Sequence, residues 1–219
     1  MATIQPSFAN AAEFFNSLLE HAWKAGPRGS GAALRLAHMY AARKRPDDAL
    51  KVLREALGRN EDDKAVHQSL AIHYLRQPAY ERSVVEEHLR RSFAPEDHNF
   101  EARFNLAQFL FFAGDLPGAI SLFEEINRRA PEGFRQLAPS KENVFTEEAG
   151  RYVGRIERRR ERFLFVKSPH YPHDIFGHRS ASEADVFDEL EIGQEVNFRI
   201  RFNREGPTAV DIRLGRPTN

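Results

Sequence analysis

The spacing of apolar residues changes once along this chain, and that change limits what it can fold into more than any other feature. Up to about residue 130 they recur every three or four positions, as in Leu50, Leu53, Ala56 and Leu57, or Phe109, Phe112 and Ala113. That is the α-helical period. From Arg151 onward the interval is two: Phe163 and Phe165; Val196, Phe198, Ile200 and Phe202; Val210, Ile212 and Leu214. Alternation of this kind marks strands with one buried face. Between the two regimes, the segment 131–150 holds two prolines, two glycines and no sustained period. The chain is therefore expected to be a multidomain α and β protein. It would have a helical domain over 1–130, a linker or capping segment over 131–149, and a small all-β domain over 150–219.

Composition narrows the class. At 219 residues and 41% hydrophobic content the chain can bury a core in each part. Lys plus Arg and Asp plus Glu are both 32, so net charge names no partner. The absence of cysteine removes disulfides, thiolate metal sites and cysteine nucleophiles, and fits a reducing compartment. No apolar run approaches the roughly 18 residues of a membrane span, and MATIQPSFAN lacks the pattern of a secretory signal. The expectation is a soluble, cytoplasmic protein with no membrane partner.

The helical half repeats. Residues 31–60 align with 100–131: Leu36-Ala37 with Leu106-Ala107, Tyr40 with Leu110, and Ala49, Leu53 and Ala56 with Ala119, Phe123 and Ile126. A middle copy from Lys64 carries Leu70-Ala71 and Tyr74, then Leu89 and Ser92 after a short insertion. Small residues let paired helices approach, and the large ones fill the groove between pairs. Asp47-Asp48 and Asp115-Leu116-Pro117 supply helix starts after the turns, and 8–25 reads as a further, capping helix. This order of large and small residues resembles the tetratricopeptide repeat, a helix pair of about 34 residues.

The resemblance implies an α-helical solenoid that presents a groove to a protein or peptide. Positions where a carboxylate clamp for chaperone tails would need Lys and Asn hold Leu34, His38, Ser69, Glu101 and Asn105, so that ligand is rejected. Arg35, His38, Phe104, Gln108 and Phe112 are the candidates for the groove. Phe104, Phe109 and Phe112 can equally bury against the next helix or the second domain, as aromatics at helical spacing more often do.

The strand half has five segments in a telling order. A first strand holds Arg155; the second reads RFLFV (162–166); the third reads DIFGHRS (174–180); LEIGQEVNF (190–198) leads into a fourth, and GPTAVDI (206–212) opens a fifth. Together they resemble the cold-shock domain, a five-stranded β-barrel of the OB type. The resemblance implies that Phe163, Phe165, Phe176 and His178 point outward and stack on bases. It also places basic residues around them for phosphates: Arg155, Arg162, Lys167 and Arg179, with Arg158, Arg159 and Arg160 nearby. Phe187 sits where the family often has a loop aromatic. Period two independently puts Phe163 with Phe165, and Phe176 with His178, on one face.

Some positions depart from the family pattern. Ile156 and Glu157 replace first-strand aromatics, and Arg179 replaces a third-strand one, though a guanidinium can itself stack on a base. Weaker and strongly salt-dependent binding is expected.

Other constellations are set aside. His170, His173, Asp174 and His178 have metal-ligating types, but a loop around Tyr171-Pro172 gives them no rigid frame, so no metal is expected. No phosphate-cradling loop, GxSxG or HExxH occurs, so no catalytic residue and no cofactor is nominated. The expected function is a non-catalytic adapter. Its barrel binds single-stranded RNA or DNA, and its repeats hold a protein partner. The alternatives are a pure protein–protein scaffold, or a regulatory piece of a larger nuclease or defence assembly. A barrel whose aromatic face packs against the helices would favour the scaffold.

Overall fold

The computed structural model describes residues 8–26, 29–132, 134 and 150–215. Most of the expected linker, 131–149, lies outside them. The chain divides into two compact units, Met1–Asp97 and His98–Asn219. Among the described residues, no helix is long and apolar enough to cross a membrane.

The first unit is all helix: α1 (Phe8–Lys24), α2 (Gly31–Ala42), α3 (Pro46–Arg59), α4 (Lys64–Leu75) and α5 (Arg82–Arg91). α2 packs on α3 and α4 on α5, while α1 lies along α2. The repeated small residues are the contact points: Ala37, Ala49 and Ala71 are fully buried beside Leu36, Leu53, Val66 and Leu70. α3 begins at Pro46, whose missing N–H is no loss in a first turn. Asp47 and Asp48 fall inside that turn, where the helix dipole favours carboxylates. Asp48 also pairs with Arg45 at 2.7 Å. α4 is capped by Asp63, whose Oδ1 accepts from the Val66 N–H at 3.1 Å.

The second unit opens with the last helix pair, α6 (Phe100–Ala113) and α7 (Leu116–Arg129), and continues into the strands. Asn99 caps α6 and Asp115 caps α7, as the Asp115-Leu116-Pro117 pattern implies. Gly114 ends α6 in the left-handed conformation at φ 88°. α6 is buried on nearly every side. Even Arg103 is fully enclosed, its guanidinium donating to Glu125 at 3.2 Å.

Five strands follow: β1 (Tyr152–Arg159), β2 (Phe163–Ser168), β3 (Tyr171–His178), β4 (Glu195–Asn203) and β5 (Gly206–Leu214), with a short helix α8 (Ala184–Glu189) between β3 and β4. They close into a barrel in the order β1-β2-β3-β5-β4, with β3 and β5 parallel and every other neighbour antiparallel. Ile156, Leu164, Val166, Ile175, Val196, Phe198, Ile200, Phe202, Ala209 and Ile212 fill the interior. The strand alternation holds in β2, is interrupted in β4 by the buried Asn197, and fails in β5, where Val210 is half-buried and Leu214 is exposed.

The reason is an irregularity in the β4–β5 register between Asn197 and Arg199. Asp211 takes a left-handed φ of 48° there, a conformation Asp tolerates better than most residues. Arg151 holds the irregularity in place by donating to Asp211 Oδ2 at 2.6 Å and to the Asn197 side chain. Burial pushes the Asp211 carboxyl up, but hydrogen bonds from Arg151 and Arg213 outweigh it and hold the group below its usual range.

Helix pair and barrel meet through an aromatic cluster. Phe111 lies 5.2 Å from Phe202, 5.8 Å from Tyr171 and 6.2 Å from Tyr152. Phe123 stacks on Phe202 at 5.7 Å, and Phe112 meets it edge-on at 5.4 Å.

Candidate nucleic-acid interface

Adjacent strands with aromatic–x–aromatic sequences bring their rings together only if the register matches, and here it does. Across the β2–β3 pair Phe163 faces His178 and Phe165 faces Phe176. Leu164, Val166, Ile175 and Gly177 point the opposite way, into the core. Phe163, Phe165 and Phe176 are half-buried and His178 is exposed.

The three phenylalanine rings touch one another, and His178 lies against Phe176. Phe176 lies 5.9 Å from Phe163, 5.7 Å from Phe165 and 6.4 Å from His178, and Phe163 meets Phe165 edge-on at 5.8 Å. Mutual contact fixes the rotamers in advance, so a ligand meets a surface whose ordering entropy is already spent. The helices pack on a different set of barrel aromatics, Tyr152, Tyr171 and Phe202.

His178 Nδ1 accepts from the Ser180 backbone N–H at 3.2 Å. The neutral ring with Nδ1 accepting carries its proton on Nε2. Beside Phe165 and Phe176 opens a cleft of about 350 Å³, whose other walls include Ile120 and Phe123 of α7 and Tyr171 and Thr208 of the barrel. Burial raises the Tyr171 phenol, and the Glu124 carboxylate raises it further, so it stays a neutral donor at physiological pH.

The basic residues do not form one class. Arg162 and Lys167 are exposed, and Lys167 is the register partner of Arg155, which sits 3.7 Å from Glu195. Arg179 is turned to Asp188 at 2.5 Å. Arg159 pins α8 by donating to the carbonyls of Phe187 and Asp188. Arg158 lies over the Phe165 ring, 4.2 Å from its centroid, and pairs with Asp174 at 2.8 Å.

Three nominated residues are placed otherwise than expected. Phe187, expected as a loop aromatic for bases, is completely buried. The loop it lies in coils into α8, which turns the ring inward beneath Arg159. Phe104 and Gln108, expected to line a groove, are 7% and 3% exposed. Phe104 meets Phe123 and Phe134, and Gln108 donates back to the Phe104 carbonyl. Phe112 is half-buried, whereas Arg35 and His38 are exposed on α2. Of the three histidines weighed as metal ligands, two pack on tyrosines, His170 on Tyr152 at 5.4 Å and His173 on Tyr171 at 5.6 Å, and His178 lies against Phe176. Among the described residues no group of three His, Cys, Asp or Glu is arranged to hold a metal ion.

Comparison with known proteins follows the same division. Residues 156–214 match the 'Cold-shock' DNA-binding domain, and residues 8–72 match the tetratricopeptide repeat. The major cold shock proteins CspA of Bacillus cereus and of Bacillus anthracis are each 42% identical over 50 residues, 23% of this chain and 73% of either relative. Among solved structures, MamA is similar at a TM-score of 0.46 and 15% identity, over 66% of this chain and 86% of that one.

Proposed function

The chain belongs to the cold-shock family through its barrel, and on that premise we propose that it is a non-catalytic adapter. In this reading the barrel binds single-stranded nucleic acid, and the helical repeats hold a protein or peptide. The observation that carries it is the platform itself. Three phenylalanines lie in mutual contact on one face with a histidine against one of them, and Arg155, Arg162 and Lys167 stand near its strands. Outward aromatics on a small barrel are unfavourable in water without a ligand. Each stacked base returns roughly 1–3 kcal/mol with little sequence preference, and the basic residues supply the phosphate attraction. The rings of α6 and α7 pack on Tyr152, Tyr171 and Phe202, and α7 meets the platform side as a wall of the open cleft beside Phe165 and Phe176, which supports a nucleic-acid ligand over the pure scaffold.

The test is direct titration of short labelled single-stranded RNA and DNA by fluorescence anisotropy, with duplexes of the same sequences alongside. Single strands should bind more tightly than duplexes, because stacking needs unpaired bases. Affinity should also fall with salt, with a log–log slope of about −0.7 for each phosphate neutralised. No binding at low salt would overturn the reading and leave the barrel face to a protein.

A further inference from the structure

The first strand lacks the aromatics that the family pattern places there, yet its register brings another residue to the platform. β1 and β2 pair Ile156 with Val166 and then Arg158 with Phe165. Two residues of β1 thus answer one of β2, and Glu157 is the extra one, as in a β-bulge. Without the bulge, Glu157 would stand opposite Phe165 and present a carboxylate to the ligand. With it, Arg158 takes that place.

The Arg158 guanidinium lies over the ring, 4.2 Å from the Phe165 centroid. Nη2 donates to Asp174 Oδ2 at 2.8 Å. Asp174 stands two residues before Phe176 on β3, and therefore on the same face. The Arg158 side chain nonetheless remains 63% exposed. One side of the guanidinium is therefore backed by an aromatic ring, one edge is tied to a carboxylate, and the other side is open.

We propose that Arg158 is the stacking element of the first strand: a nucleobase lies on the outer face of its guanidinium, with Phe165 beneath and Asp174 holding the plane. This deepens the reading above and rests on it. It also gives Arg158 a different role from the phosphate-binding residues around it. Asp174 largely neutralises its charge, and a phosphate approaching the tethered edge would meet that carboxylate. A planar, delocalised cation stacks on a base, whereas an ammonium does not. Arg158→Lys therefore keeps the charge and the ion pair and removes the plane.

The experiment compares wild-type protein and Arg158→Lys on a single-stranded oligonucleotide and on one of the same length built from abasic sites, at several salt concentrations. Thermal unfolding of both proteins runs in parallel. Arg158→Lys should weaken binding to the base-bearing strand by about 5- to 100-fold, as for one lost stack. The salt slope and melting temperature should not change, and the abasic strand should bind both proteins alike. Unchanged or tighter binding by Arg158→Lys would overturn the proposal. So would an equal loss on the abasic strand, or a shallower salt slope, since either would make Arg158 a phosphate contact. Failure of the wild type to bind the base-bearing strand at all would instead refute the broader reading on which this one stands.

Discussion

Acidification should weaken the helical unit by an amount that one side chain largely sets. His73 on α4 is only 6% exposed. Burial, with the nearby positive charges of Arg76 and His38 second, lowers its pKa from 6.5 to about 4. The folded protein thus resists a proton that the unfolded chain accepts. Stability is full above pH 6.5 and is lost as pH falls toward 4. At about 1.4 kcal/mol per pH unit, that interval is worth about 3 kcal/mol, a large share of the roughly 5–15 kcal/mol that holds a domain folded. His88, hydrogen-bonded to the buried His67 at 2.7 Å and also lowered by burial, acts in the same direction.

Trp23 is the one tryptophan of the chain and is buried in this unit, so its fluorescence reports this unit alone. Urea titrations followed at Trp23 between pH 7 and pH 4 should show the loss in wild type, and His73→Leu should remove about 3 kcal/mol of it. An equal drop in the variant, or a wild type that gains stability on acidification, would refute the reasoning.

Two further predictions concern the barrel. Gly154→Ala would set a Cβ 2.5 Å from a Val166 methyl and 2.7 Å from the Lys167 carbonyl oxygen of the neighbouring strand. The backbone must give way, so thermal unfolding should show a loss of about 1–3 kcal/mol. Phe187→Ala should cost about 3–5 kcal/mol of stability by opening a cavity. Under conditions where it remains folded it should bind oligonucleotides with wild-type affinity, because the ring does not reach the surface.

Much of this was legible in the residues. The small positions of the repeat could be found by spacing alone, and Ala37, Ala49, Ala71, Ala107 and Ala119 are all fully buried. The platform rings could be found because period two and two short motifs place them without knowledge of anything distant. The misplacements have a common cause: long-range partners. Asp211 breaks the β5 alternation through Arg151, 60 residues away, and no local pattern announces that. Phe187 lies in a segment whose coiling into α8 decides which way it points.

Phe104 and Gln108 were readable in principle. Apolar residues spread over most of the circumference of FEARFNLAQFLFFA, with only Glu101, Asn105 and Gln108 sharing a polar stripe, and a helix so apolar is largely enclosed rather than left open to a groove. The β1 bulge that exchanges Glu157 for Arg158 leaves no mark in the sequence beyond a run of charges.

The most direct test of the account compares wild type with Phe163→Ala/Phe176→Ala in single-strand binding by anisotropy, at low and moderate salt. Both rings are half-buried on the outer face, and neither belongs to the barrel interior. Two lost stacks at roughly 1–3 kcal/mol each predict at least a 30-fold loss of affinity, with the salt slope kept. A folded double variant that binds single strands as wild type does would contradict the central claim.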